Sequence, residues 1–302
     1  MKIIVLGSGA VGAYYGGQLA RAGHDVTCVA RGGNLEALRA RGLELRTPEG
    51  ALHAKVTATD RLDALEPADF AILAVKSYSL EGIAPVVVRA AELGATIVPL
   101  LNGVGTEDRL RALGVPVASV VGGLTRISVA RVAPGVVERL SPFQVVVVGE
   151  PGGGTSERVE RIAAAFREAG ADARASENIQ VELWQKFVFI AAMAAACGLT
   201  RSAVGPLRAD PLGRRLVERA VEEVVAVARA RGVALPNDEV ERVTSLMGSL
   251  PPAMKPSFLV DLEAGGPTEL DVLSGAVSRF AAEAGVEAPI HDTAALVLRR
   301  WT

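Results

Sequence analysis

The chain has 302 residues, half of them hydrophobic, and a formal net charge of −2. That length suits two domains, at about 100–150 residues each, and supplies enough apolar residues for a sizeable core. Charge is neither clustered nor one-signed, which argues against a nucleic-acid partner or a solvating tail and leaves a small molecule as the expected partner.

In chain order, Lys2–Leu6 reads as a strand, Ala10–Ala22 as a helix, Asp25–Ala30 as a second strand and Leu35–Arg41 as a second helix. Phe70–Val75, Thr96–Leu100 and Ser119–Gly122 are continuous apolar runs, the pattern of buried parallel strands. Alternating strands and helices predict a parallel sheet covered on both faces. Gly42–Thr57 and Gly135–Val148 interrupt that alternation as extended, hairpin-prone additions, and Gln144–Val148 is a strong strand candidate. Ser156–Ala169 returns to helix and stops at Gly170. From about Asn178 strands disappear. Ile179–Cys197, Pro211–Arg231, Asn237–Leu250 and Leu270–Gly285 are helical, punctuated by Gly232, Pro236, Pro251-Pro252 and Gly285. The expected division is a Rossmann domain over 1–175 and an all-helical domain over 176–302.

Cys28 and Cys197 are far apart in apolar settings, and His24, His53 and His291 are scattered. Neither set has metal-ligand spacing, so no metal is expected and two unpaired thiols fit a reducing cytosol. Met1–Leu6 runs straight into glycines with no cleavage site. The longest apolar run, Phe187–Cys197, falls short of the roughly 20 residues of a membrane helix. A cytoplasmic protein without a membrane partner is expected.

Gly7-Ser8-Gly9-Ala10-Val11-Gly12 is a GxGxxG element placed between the first strand and the first helix. Gly7 permits the tight turn, Gly9 lets backbone approach a pyrophosphate, and Gly12 lets helix and strand pack closely. The helix N-terminus then offers N–H groups to the phosphates. An NAD site usually has an acidic residue at the end of the second strand; here that strand ends at Arg31, whose guanidinium suits a 2′-phosphate. The expected cofactor is NADPH. Lys76 and Asn102 stand at further strand ends, where open α/β sheets bind ligands, and Gly103-Val104-Gly105 follows as a flexible turn.

In the helical half, Lys186 precedes an almost wholly apolar helix and shares a face with Glu182, Ile190 and Ala194. It is either snorkelling to the helix edge or held in a pocket as a proton donor. Pro267-Thr268-Glu269-Leu270-Asp271 marks an expected helix start, with Thr268 as N-cap. Glu269 is then either a favourable charge at that helix end or a carboxylate orienting cofactor, substrate or Lys186.

Together these blocks resemble the ketopantoate reductase family, over nearly the whole chain. The resemblance rests on Gly7–Gly12, Arg31, Val75-Lys76, Asn102–Gly105, Glu182–Phe187 and Pro267–Asp271. It implies a Rossmann domain joined to a helical domain like that of 6-phosphogluconate dehydrogenase. It also implies NADPH-dependent reduction of ketopantoate to (R)-pantoate on the route to pantothenate and coenzyme A. By the same resemblance Lys186 is the proton donor, Asn102 touches nicotinamide and substrate, and Ser257 binds the substrate carboxylate. Lys76 and Glu269 line the cleft near the cofactor, and a homodimer is a compatible assembly. The chain departs from the family where asparagines follow the lysine by one and two helical turns. Here those positions are Ile190 and Ala194, and Lys255 is a candidate for a compensating contact to a carboxylate. The departure keeps a reductase of a more apolar 2-keto acid or related carbonyl in view. A β-hydroxyacid or imine reductase and a non-catalytic NADPH-binding regulator are the remaining alternatives.

Overall fold

The structure, a computed structural model, describes residues 1–301; Thr302, the last residue of the expected second domain, lies outside the described residues. Its contacts divide into two units, Met1–Leu101 with Gly105–Ile179, and Asn102–Val104 with Gln180 onward.

The first unit begins with β1 (Lys2–Leu6), α1 (Ala10–Arg21), β2 (Asp25–Val29) and α2 (Gly32–Arg41). A hairpin, β3 (Leu43–Thr47) and β4 (Gly50–Ala54), precedes β5 (Thr57–Thr59), β6 (Phe70–Leu73), α3 (Leu80–Glu92), β7 (Thr96–Pro99) and α4 (Thr106–Ala112). Then come β8 (Gly122–Arg126), β9 (Val129–Ala133), β10 (Val136–Arg139), β11 (Val145–Gly149), α5 (Glu157–Glu168) and β12 (Asp172–Ser176). The main sheet has the order β5-β2-β1-β6-β7, with every pairing parallel. Strand order reverses at β1, which has β2 on one side and β6 on the other. In such sheets the crevice beyond the carboxyl ends at this reversal is where ligands bind. Ile3, Ile4, Val5, Leu6 and Phe70–Leu73 are almost wholly buried, which is why these strands read as unbroken apolar runs.

Two smaller sheets flank the main one. The additions expected over Gly42–Thr57 and Gly135–Val148 build a sheet of order β4-β3-β10-β9, and β12-β11-β8 form another. Two expectations change here. Ser119–Gly122 is not a strand: Val117–Ser119 is a 3-10 turn, Val120 makes only an isolated parallel bridge to Ile97, and β8 starts at Gly122. β12 has no counterpart in the sequence reading, because Asp-Ala-Arg-Ala-Ser lacks β-branched residues; pairing with the four valines of β11 imposes its conformation.

The second unit is helical: α6 (Ile179–Thr200), α7 (Val204–Ala209), α8 (Pro211–Ala230), α9 (Glu239–Ser249), α10 (Ser257–Glu263), α11 (Ser274–Ala284) and α12 (Pro289–Leu298). Beyond Lys186, α6 is apolar on all sides because it runs through the core, where Phe187 and Ala191–Cys197 are buried. At 22 residues and a mean hydropathy of 1.4 it satisfies the length and composition of a bilayer span, contrary to the expectation from the Phe187–Cys197 run; 67% of the apolar window is buried inside the protein. Gly198 allows the close approach of Leu298 and Phe258, whose atoms lie 2.8 and 2.9 Å from where its Cβ would stand.

α8 starts on a local cap, Asp210 accepting from the Leu212 amide at 2.7 Å with Pro211 in the first turn. α12 has no such cap of its own. Instead Glu223 of α8 accepts from the amides of Ile290 (2.9 Å) and His291 (3.0 Å). The His291 ring is fully buried between Ser274 Oγ and the Ala220 carbonyl, and burial lowers its pKa to about 4. The expected helix over Leu270–Gly285 is broken: Leu270–Val272 is a 3-10 turn and α11 begins at Ser274. Thr268 Oγ1 accepts from Leu270 N at 3.4 Å, closing that turn rather than capping α11.

Candidate active site

In the first unit the glycine turn leaves β1 and enters α1. Gly7 has φ +100°, and a Cβ there would lie 2.5 Å from Val75 Cγ1; a Cβ on Gly12 would lie 2.1 Å from the Gly7 carbonyl oxygen. Both positions therefore exclude any side chain. At Gly9 the nearest atom to a Cβ is Ala74 O, at 3.9 Å, an ordinary van der Waals contact, so this position is far less crowded than its two neighbours in the motif. Gly9 is the N-cap of α1, no side chain caps the helix and no acidic residue stands in its first turn. Uncapped amides and a glycine-cleared surface fit a pyrophosphate. Ser8 is buried and turned inward, its Oγ donating to the Val29 carbonyl at 2.9 Å. Ala10 and Val11 open α1 and contribute backbone only.

Arg31 follows β2 as the exposed N-cap of α2, in extended conformation, and its side chain hydrogen-bonds to no described residue. α2 likewise has no side-chain cap, and Gly32 and Gly33 have nothing within 4 Å of their missing Cβ atoms. A guanidinium beside bare amides suits an anion such as a 2′-phosphate. Lys76, half-buried, follows β6 and starts the 3-10 turn Ser77–Ser79; Arg109 Nη2 holds that turn through the Ser77 carbonyl at 3.1 Å. The first unit thus places Gly7, Arg31 and Lys76 at the carboxyl ends of β1, β2 and β6.

The second unit brings three distant residues together. Lys186 Nζ donates to Asn102 Oδ1 at 3.1 Å, and Asn102 Nδ2 donates to Glu269 Oε2 at 3.0 Å. An ammonium only donates and a carboxylate only accepts, so the amide has one workable orientation. Glu269 is 5% exposed, and its carboxylate needs such a donor to be buried at all. The bond to Asn102 is the geometry that the orienting reading of Glu269 would require. Gly103, at φ +96°, carries the Asn102 segment against Val272, whose carbonyl would be 3.1 Å from a Cβ there. Lys186 itself is half-buried, and neighbouring Gln185 donates to the wholly buried Glu239 at 3.2 Å, which Arg242 grips with two bonds.

Other expected participants are placed differently. Ser257 is exposed, as the first residue of α10, and its hydroxyl bonds to no described residue. Lys255 donates to Glu263, at 2.9 and 2.7 Å to its two oxygens, in a partly exposed pair. Ile190, on the Lys186 face of α6, is half-buried; Ala194 is 1% exposed and part of the core. Cys28 and Cys197 are buried and unpaired, with burial pushing both thiols up to about 12. No group of three or more candidate metal ligands occurs among the described residues. Sequence reasoning missed Asn34, which touches the glycine turn; a lone asparagine after two glycines gives no signal of its own.

One family matches both the sheet unit that carries the glycine turn and the helical unit that carries Lys186 and Glu269. The ketopantoate reductase PanE/ApbA family model matches residues 3–153, and its C-terminal companion matches 178–301. The chain belongs to the ketopantoate reductase family. The uncharacterized oxidoreductase YkpB of Bacillus subtilis (strain 168) is 32% identical over 97% of this chain and 96% of its own length. The 2-dehydropantoate 2-reductase of Halobacterium salinarum is 32% identical over 99% of this chain and 98% of its own. Among solved structures, 2-dehydropantoate 2-reductase from Methylococcus capsulatus superposes with a TM-score of 0.90 at 32% identity, covering 99% of this chain and 96% of that one. As a ketopantoate reductase family member the chain is an oxidoreductase of the class that acts on CH–OH groups.

Proposed function

We propose that this chain is a cytoplasmic, NADPH-dependent reductase that converts 2-dehydropantoate to (R)-pantoate for pantothenate and coenzyme A synthesis. The observation that carries the reading is the Lys186–Asn102–Glu269 chain of hydrogen bonds, which would hold a lysine proton donor in a fixed orientation. The Gly7–Gly12 turn would hold the pyrophosphate and Arg31 the 2′-phosphate. The nicotinamide, when bound, supplies the hydride. Lys186 would hold its proton toward the substrate carbonyl oxygen, stabilise the charge that develops there, and then protonate it. Glu269 fixes the Asn102 amide, and Asn102 fixes the ammonium, so the donor need not search for its orientation. Mixing the protein with NADPH and a panel of 2-keto acids tests this directly. Dehydropantoate should give the highest kcat/KM, and no NADPH oxidation with any member of the panel would end the proposal.

The half-buried Ile190 favours a second reading, a 2-keto acid with a more apolar side chain. A site without a partner for a substrate hydroxyl forfeits discrimination in its favour. On this reading the panel ranks apolar keto acids first, and Ile190→Asn shifts kcat/KM toward the hydroxylated ones by about tenfold.

A further inference from the structure

Asn34 has no part in the chemistry described so far, yet both ends of its amide are engaged. Its Nδ2 donates to the Ser8 carbonyl at 3.0 Å, and its Oδ1 accepts from the Gly135 amide at 2.9 Å. The donor on one side and the acceptor on the other fix the rotamer of the amide. Gly135 is a firm anchor. Its φ is +73°, a Cβ there would lie 3.2 Å from the Gly42 carbonyl and 3.3 Å from Ala37 Cβ, and its own carbonyl accepts from Glu44 N at 2.9 Å. The β9–β10 connection therefore holds Asn34 from behind, and Asn34 holds Ser8.

The Ser8–Gly9 peptide is trans, as are all the others among the described residues, so its C=O and N–H point in opposite directions. Drawing the Ser8 carbonyl toward Asn34 turns the Gly9 N–H the other way. That N–H donates to no described residue, and the only atom within 4 Å of a Cβ on Gly9 is Ala74 O, at 3.9 Å. Ser8 itself is anchored to the Val29 carbonyl through both its Oγ and its amide, which fixes the residue whose carbonyl Asn34 holds.

We infer that Asn34 is a positioning residue that orients the Ser8–Gly9 peptide, making the Gly9 N–H a preset donor for the pyrophosphate of a dinucleotide. A preset donor loses no orientational freedom on binding, which is where it adds affinity. The inference rests on the reading of the turn as a dinucleotide site.

The test measures binding, by calorimetry on the full chain, for wild type, Asn34→Leu and Asn34→Ala. The probes are NADPH, NADH, ADP-ribose and adenosine 2′-monophosphate, the last of which lacks a pyrophosphate. Both variants should weaken the three pyrophosphate ligands by about tenfold and leave adenosine 2′-monophosphate within about twofold of wild type. Unchanged binding of the pyrophosphate ligands overturns the inference. An equal loss for adenosine 2′-monophosphate also overturns it, since α2 and Arg31 would then have moved as a whole. Should Asn34→Leu not fold, Asn34→Ala is read against the same criteria. A wild-type protein that binds none of the four probes refutes the dinucleotide reading itself, an outcome distinct from normal wild-type binding with unaffected variants.

Discussion

The first unit presents bare backbone within six consecutive residues, Gly7–Gly12, while the second assembles side chains separated by 84 and 167 positions in sequence. A backbone cradle is vulnerable to added atoms; a side-chain chain is vulnerable to lost ones. The two should therefore fail in different assays. Lys186→Ala is expected to have the largest effect, lowering kcat by about 10²–10⁴-fold with NADPH affinity intact. Steady-state kinetics beside calorimetric titration reads both quantities, and a matching loss of NADPH affinity would erase the division of labour.

Gly12→Ala is the reverse experiment. Its Cβ would lie 2.1 Å from the Gly7 carbonyl, so the α1–β1 packing must open. A destabilisation of about 3 kcal/mol is expected, visible in a melting curve as a Tm lower by roughly 5–10 °C, together with loss of dinucleotide binding. Arg31→Ala, which removes a charge without disturbing packing, should raise the Kd for NADPH by about 10–100-fold and leave that for NADH unchanged. Equal effects on the two would remove the arginine from phosphate recognition.

The smallest effect sharpens the contrast within the second unit. His291 is lowered by burial to about 4 from 6.5. Above pH 6.5 the ring is neutral in both folded and unfolded chains and costs nothing. As pH falls from there toward 4, only the unfolded chain takes up the proton, so stability declines across that window at up to about 1.4 kcal/mol per pH unit. Tm measured from pH 7 to 5 should fall less steeply for His291→Gln than for wild type, and parallel slopes would mean another group controls the acid limb.

What could be read from sequence follows from the same contrast. The strand–turn–helix around Gly7–Gly12 and the apolar strands are local patterns, and each residue there states its own reason. Arg31 draws attention in the sequence because an arginine stands where a carboxylate is expected, and its part in phosphate recognition is left to the Arg31→Ala titration. Lys186 is ambiguous in sequence, since snorkelling and pocket burial share one signature; its hydrogen bond to Asn102, 84 positions away, has no trace there. Glu269 was read against a helix that starts four residues later than its N-cap pattern suggested, at Ser274 in place of Leu270. Cross-chain pairings such as Glu223 with the start of α12, or Asn34 with Ser8, leave no local trace. β12 and the short helices α7, α10 and α12 were invisible for the same reason: their conformation is set by neighbours more than by propensity.

The three residues Asn102–Val104 associate with the second unit although Leu101 and Gly105, on either side, associate with the first. The polypeptide consequently has no single point at which it separates into two self-sufficient halves. A fragment ending at residue 179 would keep Asn102 but forfeit Lys186 and Glu269, and the complementary fragment would keep Lys186 and Glu269 without the amide that joins them. Expression of either half should yield an incomplete protein, and recombination that exchanges the helical half between relatives succeeds only when this tripeptide travels with it.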